Sequence, residues 1–302
     1  MLNFSMKRLF ILCLFLVFAF QNEGISQVKN AKHVILIGFD GLGSYAIPKA
    51  TMPNLKKLME SGSHTLEART VLPSSSAVNW ASMLMGAGPT AHGFTEWGSK
   101  TPEIPPYEIT KYGLFPSIFS VIRDQKPTAK TAAIYTWDGI GYLIEKDAID
   151  LVYNGEKEEL NIAKAIEVIQ EGETTFMFLH LSEPDGVGHN IGHDTPEYYK
   201  ELEAVDIKIG KLVAAVAAAG LADETIIMLS SDHGGVEKGH GGKSLEEIYI
   251  PWVISGPGVK VNHEINDLIM TYDTGATIAW ILGLDMPKSW GGKPVEDSFQ
   301  SF

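Results

Sequence analysis

The sequence predicts an α/β fold on a largely parallel sheet, from three observations. Short apolar runs rich in valine and isoleucine alternate with longer segments at helical spacing. Several of those runs end directly in glycine, aspartate and histidine, the polar edge where open α/β sheets gather ligands. No repeat, low-complexity tract or linker interrupts the alternation, so residues 27–302 read as a single domain.

The first 26 residues read instead as an export signal. Lys7 and Arg8 precede an unbroken apolar run over residues 9–20, too short to span a bilayer comfortably. Gly24 and Ser26 give a small-x-small cleavage site before Gln27, and an uncleaved anchor is the alternative. The only cysteine, Cys13, lies inside that run, so the mature chain has no disulfide and must be stabilised by its core. The expected location is extracytoplasmic, periplasmic or secreted.

Strands are expected over residues 33–38, 131–136, 174–179, 225–230 and 252–255, and helices over 53–61, 77–85, 115–124, 158–170 and 196–219. Pro53 and Pro196 open two of the helices, at a position where the missing N–H costs nothing. Residues 95–112, proline-containing and aperiodic, are the expected long loop, positioned to wall a substrate pocket.

The formal net charge is −13, which argues against duplex nucleic acid or anionic membrane held by general electrostatics. An anionic substrate would need positive charge from another source, such as bound metal ions. Strand 33–38 leads into Asp40-Gly41, strand 174–179 into a segment holding Asp185 and His189, and strand 225–230 into Asp232-His233, with His240 among glycines soon after. Carboxylate and imidazole donors suit zinc or a similar divalent ion, and two ions side by side suit displacement at phosphorus. Ser74, Ser75 and Ser76 open an apolar helix; a serine there can act as nucleophile once activated, with helix amides and Asn79 donating to phosphoryl oxygens.

Together these segments resemble the alkaline phosphatase superfamily, and within it the type I phosphodiesterase and nucleotide pyrophosphatase branch. The motifs are "GFDG" at Asp40, "GAGPTAHG" ending at Gly93, "EPDGVGHNIG" with Asp185 and His189, "VDIKIG" with Asp206 and Gly210, "SDHG" with Asp232 and His233, and His240. The resemblance implies an alkaline-phosphatase-like three-layer sandwich and, by the spacing back from Gly93, Ser76 as nucleophile with Asn79 as its oxyanion donor. It implies that one metal takes Asp40, Ser76, Asp232 and His233 and the other takes Asp185, His189 and His240, both most simply Zn2+. The implied activity is hydrolysis of a phosphate-ester small molecule (a nucleotide, sugar or lipid head group) through a phosphoserine. The rivals are a phosphomonoesterase, a phosphoethanolamine-type phosphotransferase on the same site, and a non-catalytic metal-binding surface protein. Val78 and Trp80 stand where sulfatases carry proline and arginine, against formylglycine chemistry. His180 is expected to satisfy a core hydrogen bond and His193 to face solvent or the pocket rim. His33, His64, His92 and His263 are given no metal role. Trp80, Trp97 and Trp137 are expected mainly in the core, with stacking on a base or ring as the alternative.

Overall fold

The computed structural model describes residues 28–300; the leader, its cleavage site and Cys13 lie outside the described residues. Among the described residues the strands are β1 (His33–Phe39), β2 (Ser63–Arg69), β3 (Lys130–Tyr135), β4 (Leu151–Asn154), β5 (Thr174–Leu181), β6 (Thr225–Ser231), β7 (Tyr249–Ser255) and β8 (His263–Glu264). The α-helices are α1 (Pro53–Glu60), α2 (Ser76–Met85), α3 (Pro89–His92), α4 (Ile118–Gln125), α5 (Glu158–Glu171), α6 (Asp185–Asn190), α7 (Pro196–Ala218), α8 (Leu245–Ile248) and α9 (Asp273–Ile281).

The strands form one sheet in the order β4-β3-β5-β1-β6-β7-β2-β8. From β4 to β6 every pairing is parallel, while β7 runs antiparallel to both β6 and β2. Because side chains alternate along a strand, the sheet feeds two separate cores. Val34 and Leu36 pack to one face with Phe176, Phe178, Trp80, Phe119 and Ile278, beneath α2, α4 and α9. Ile35 and Ile37 pack to the other with Met177, Leu179, Leu55, Ile162 and Leu202, beneath α1, α5 and α7. That is a three-layer sandwich, and its central strands are apolar on both faces because both are covered.

Two fastenings matter for the site. Asp206, buried in the middle of α7, accepts hydrogen bonds from the Asn54 and Leu55 amides at 3.0 and 2.8 Å. It thus caps α1, whose own N-cap residue Met52 has no side-chain acceptor. Buried Glu145 accepts from Thr110 Oγ1 at 2.6 Å and from the Ser117 amide at 3.1 Å, which anchors the far end of the long loop. Helix α4 starts at Ile118, not at residue 115 as the periodicity suggests. Pro116 disfavours helical backbone at Phe115, and Ser117 supplies the cap by accepting from Phe119 N at 3.2 Å.

Candidate active site

The site grows from the three central strands. Phe39, the last residue of β1, lies level with Leu181 of β5 and Ser231 of β6, so the chain leaves all three strands at one edge. Asp40 follows β1 directly, Asp232 and His233 follow β6, and a short turn after β5 delivers Asp185 as the first residue of α6. The backbone binds these exits together: Asp40 N donates to Leu181 O at 2.9 Å and Asp185 N to Asp40 O at 3.0 Å. Gly41 permits the approach, since its φ is +69° and a Cβ there would lie 2.6 Å from Asp185 Cβ.

Ser76 is the first residue of α2 and is buried beside this edge. Its Oγ lies 3.1 Å from His233 Nε2 and 3.5 Å from Asp40 Oδ1. Asp40 Oδ1 and Asp232 Oδ2 stand 3.4 and 3.2 Å from that same nitrogen. Nδ1 of His233 donates to Gly234 O at 2.8 Å, which turns Nε2 towards the carboxylates. Asp232 Oδ2 is buried with no hydrogen-bond donor among the described residues, and burial followed by repulsion from Asp40 and Asp185 pushes its carboxyl well above the ordinary range. A buried carboxylate oxygen without a donor, facing an imidazole nitrogen, is a place for a cation.

A second focus lies beside it. Asp185 and His189 are four residues apart on α6, and His189 Nε2 is 3.1 Å from Asp185 Oδ2 and 3.1 Å from His240 Nε2. The remaining ring nitrogens of both histidines bond to backbone carbonyls, His189 to Lys238 O at 3.0 Å and His240 to Ser74 O at 3.1 Å. The hydrogen bond to Asp185 raises the His189 pKa to about 9, while burial, aided by nearby His233, lowers that of His240 to about 4. Burial opposes ionisation of Asp185, but the His189 and His193 imidazoles outweigh it and hold the carboxyl well below its usual range. The His240 ring stacks on His233 with centroids 3.7 Å apart, so the two foci adjoin. Two groups could each hold a metal ion by convergence of their donor atoms: Asp185, His189 and His240, and Asp40, Asp185 and His233. The donors are oxygen and imidazole nitrogen without thiolate, a set that fits zinc and similar divalent ions.

The structure therefore brings Asp40, Ser76, Asp185, His189, Asp232, His233 and His240 to one rim. Asn79 is placed differently from expectation, and its oxyanion role requires correction. Fully buried, it accepts from Val71 N at 2.8 Å and donates to the carbonyls of Val71, Pro73 and Ser75 at 3.1–3.2 Å. Its amide is committed to the turn that carries Ser76, leaving no N–H for a phosphoryl oxygen. His193 also departs from expectation. It is 4% exposed, its Nδ1 bonds to Glu237 O at 3.2 Å, and its Nε2 lies 3.6 Å from Asp185 Oδ1, behind that carboxylate.

Sequence reasoning missed the supports of Asp40. His180 Nε2 and Trp80 Nε1 each lie 3.2 Å from Asp40 Oδ2, fixing the carboxylate from behind while Oδ1 faces Ser76. Trp80 follows Ser76 by four residues, one helical turn along the same face, and that spacing was the available signal. The other tryptophans divide: Trp137 is half-buried, whereas Trp97 is 68% exposed and walls a cavity of about 660 Å³ with Ser75, Glu96, His189 and His240.

The sequence pattern of one family, described as type I phosphodiesterase / nucleotide pyrophosphatase, matches residues 34–241. The chain belongs to this family. Among curated relatives, ectonucleotide pyrophosphatase/phosphodiesterase family member 1 of Mus musculus is 26% identical over 227 residues, 70% of this chain and 25% of the relative. Venom phosphodiesterase 2 of Crotalus adamanteus is 25% identical over 221 residues, 67% of this chain and 26% of that protein. This phosphodiesterase-family chain thus spans about a quarter of the length of the curated relatives it matches. Among solved structures, an inactive form of murine ectonucleotide pyrophosphatase/phosphodiesterase 5 in complex with AMP superposes with a TM-score of 0.76 at 17% identity. The match covers 89% of this chain and all of that one. A 2-O glycosaminoglycan sulfatase also matches, with a TM-score of 0.67 at 12% identity over 89% of this chain and 74% of that one, which extends the likeness of fold alone.

Proposed function

We propose that this chain is an exported two-metal phosphodiesterase acting through a phosphoserine at Ser76. The observation that carries the reading is the position of Ser76 Oγ, 3.1 Å from His233 Nε2 and beside Asp40, at the start of α2. A hydroxyl held among carboxylates and imidazoles that also converge as metal donors is placed to become a nucleophile.

Two divalent cations, most simply zinc, held by Asp40, Ser76, Asp232 and His233 and by Asp185, His189 and His240, would supply Lewis-acid charge for the phosphoryl oxygens. The chain's own groups do the rest. Ser76 releases its proton to solvent, its Oγ bonds to phosphorus, and the bond from phosphorus to the departing alcohol breaks, that oxygen taking a proton from water. A water oxygen then attacks phosphorus from the opposite side. Ser76 Oγ leaves, regains a proton, and a phosphomonoester is released. Trp80 and His180 keep Asp40 in place throughout, and Asn79 keeps the serine turn rigid. The leader over residues 1–26 would direct the enzyme out of the cytoplasm.

Replacing Ser76 by Ala should lower turnover of bis-p-nitrophenyl phosphate by about a thousandfold or more while leaving the bound zinc content largely intact. Full activity in that variant, or equal activity of the wild type before and after chelation, would refute the proposal.

A further inference from the structure

Beside the metal-binding rim lies the cavity of about 660 Å³, lined by Pro73, Ser75, Thr95, Glu96, Trp97, His189, Gly239, His240 and Gly241. Its charges are distributed in an informative way. At the inner end the metal-binding histidines meet Ser75, whose hydroxyl is buried and has no hydrogen-bond partner among the described residues. That end offers a hydroxyl donor to a phosphate, beside the residues that would hold the proposed cations. The outer wall carries one carboxylate, Glu96, and one indole face, Trp97, and among the described residues neither lysine nor arginine contributes to the lining.

The outer wall is held firmly. Ala77 N, one residue past the nucleophile, donates to Trp97 O at 3.2 Å, fixing that stretch of loop to the first turn of α2. Thr95 N and Oγ1 bond to Glu103 Oε2 at 2.7 and 3.2 Å, and Glu96 N bonds to Ser99 Oγ at 3.1 Å. Among the described residues no hydrogen bond or ion pair engages the Glu96 carboxylate, and Trp97 remains 68% exposed. An exposed indole and an uncommitted carboxylate on a pinned turn, beside a buried metal-binding cluster, form a prepared surface for a cation.

Resting on the phosphodiesterase reading, we infer that the preferred substrates are phosphodiesters whose retained alcohol carries a quaternary or protonated amine, with the phosphate at Ser75 and Ser76 and the amine between Trp97 and Glu96. An ammonium is attracted by the indole quadrupole and by the carboxylate together. A nucleotide carrying further phosphates would bring negative charge to a wall that has no cation to meet it, on a chain of net charge −13.

The test uses the zinc-loaded full chain and three esters that share the p-nitrophenol leaving group. These are p-nitrophenyl phosphocholine, its uncharged isostere p-nitrophenyl 3,3-dimethylbutyl phosphate, and the p-nitrophenyl ester of thymidine 5′-phosphate. The choline ester should exceed its isostere in kcat/KM by about tenfold, the scale of a cation–π contact reinforced by a carboxylate. Both Glu96→Gln and Trp97→Ala should shrink that ratio, chiefly through KM of the choline ester, with unchanged thermal unfolding because both residues are exposed. Equal kcat/KM for the choline ester and its isostere, a preference for the thymidine ester, or an unaltered ratio in Glu96→Gln would overturn the inference while leaving the phosphodiesterase reading intact. Absence of turnover on all three esters would overturn both.

Discussion

Asn79 bonds through both ends of its amide to the turn that carries Ser76. Replacing it by Ala would leave the buried Val71 amide without its acceptor and strip one of two hydrogen bonds from the Val71, Pro73 and Ser75 carbonyls, so Asn79→Ala should lower stability by about 1–3 kcal/mol in urea unfolding. His92, buried between α2 and α3, shows a different single-residue effect. Its Nδ1 accepts from Phe94 N at 3.1 Å, so its Nε2–H faces Ser82 Oγ at 2.9 Å and the ring is neutral. Burial lowers its pKa to about 3 from an ordinary value of 6.5. Because the unfolded chain binds this proton more readily, the His92 contribution is complete above pH 6.5 and is lost as pH falls towards 3. Denaturant titrations across that window should therefore show a flatter loss of stability with acid in His92→Gln than in the wild type. At this scale the convergence of Asp40, Asp232 and His233 was legible because they directly follow apolar runs, and that of Asp185, His189 and His240 from the motifs that carry them. Asn79 and His193 were misread because their surroundings depend on how two loops fold back, by Val71–Pro73 and by Glu237.

At the level of elements, the five longest apolar strands and the helices with clear spacing were recoverable. The exceptions share a cause. β2 (SHTLEAR) mixes buried and exposed positions with polar side chains, β4 is partly exposed along its length, and β8 is two residues long. Their strand conformation comes from pairing with neighbours, which periodicity does not encode. The cap that Asp206 of α7 supplies to α1 likewise joins residues far apart in sequence. Asp206→Ala would free the Asn54 and Leu55 amides and should cost about 1–3 kcal/mol, detectable as a Tm lowered by a few degrees. Asp206→Asn should recover part of that loss, since one acceptor oxygen remains.

For the whole molecule, the decisive feature is the crowding of Asp40, Asp185 and Asp232 at one rim of a buried sheet. Cations that bind only the folded chain must stabilise it. Zinc at about a hundred times its Kd should add about 2.7 kcal/mol to the stability of the chelated protein, seen as a rise in Tm with zinc concentration. No change in Tm between chelated and zinc-loaded protein would contradict the metal sites. The α/β plan was legible from the alternation of runs, the three layers from the family resemblance, and a pocket wall from the aperiodic stretch 95–112, whereas which residues of that stretch line the cavity was not. Its wall comes from residues 95–97, whose course is set by hydrogen bonds to Ala77 and Glu103.

The groups gathered at the rim hang from three neighbouring strand exits and the first turn of α2, but the outer wall of the adjoining cavity hangs from a separate excursion tied down at Ala77, Glu103 and Glu145. On the proposed phosphodiesterase reading, catalysis and substrate choice are therefore mutable apart from one another. A transplanted 95–112 segment that keeps those moorings would redirect the enzyme to a new clientele, whereas one residue inserted into β1 would turn its side chains to the wrong face and silence it outright.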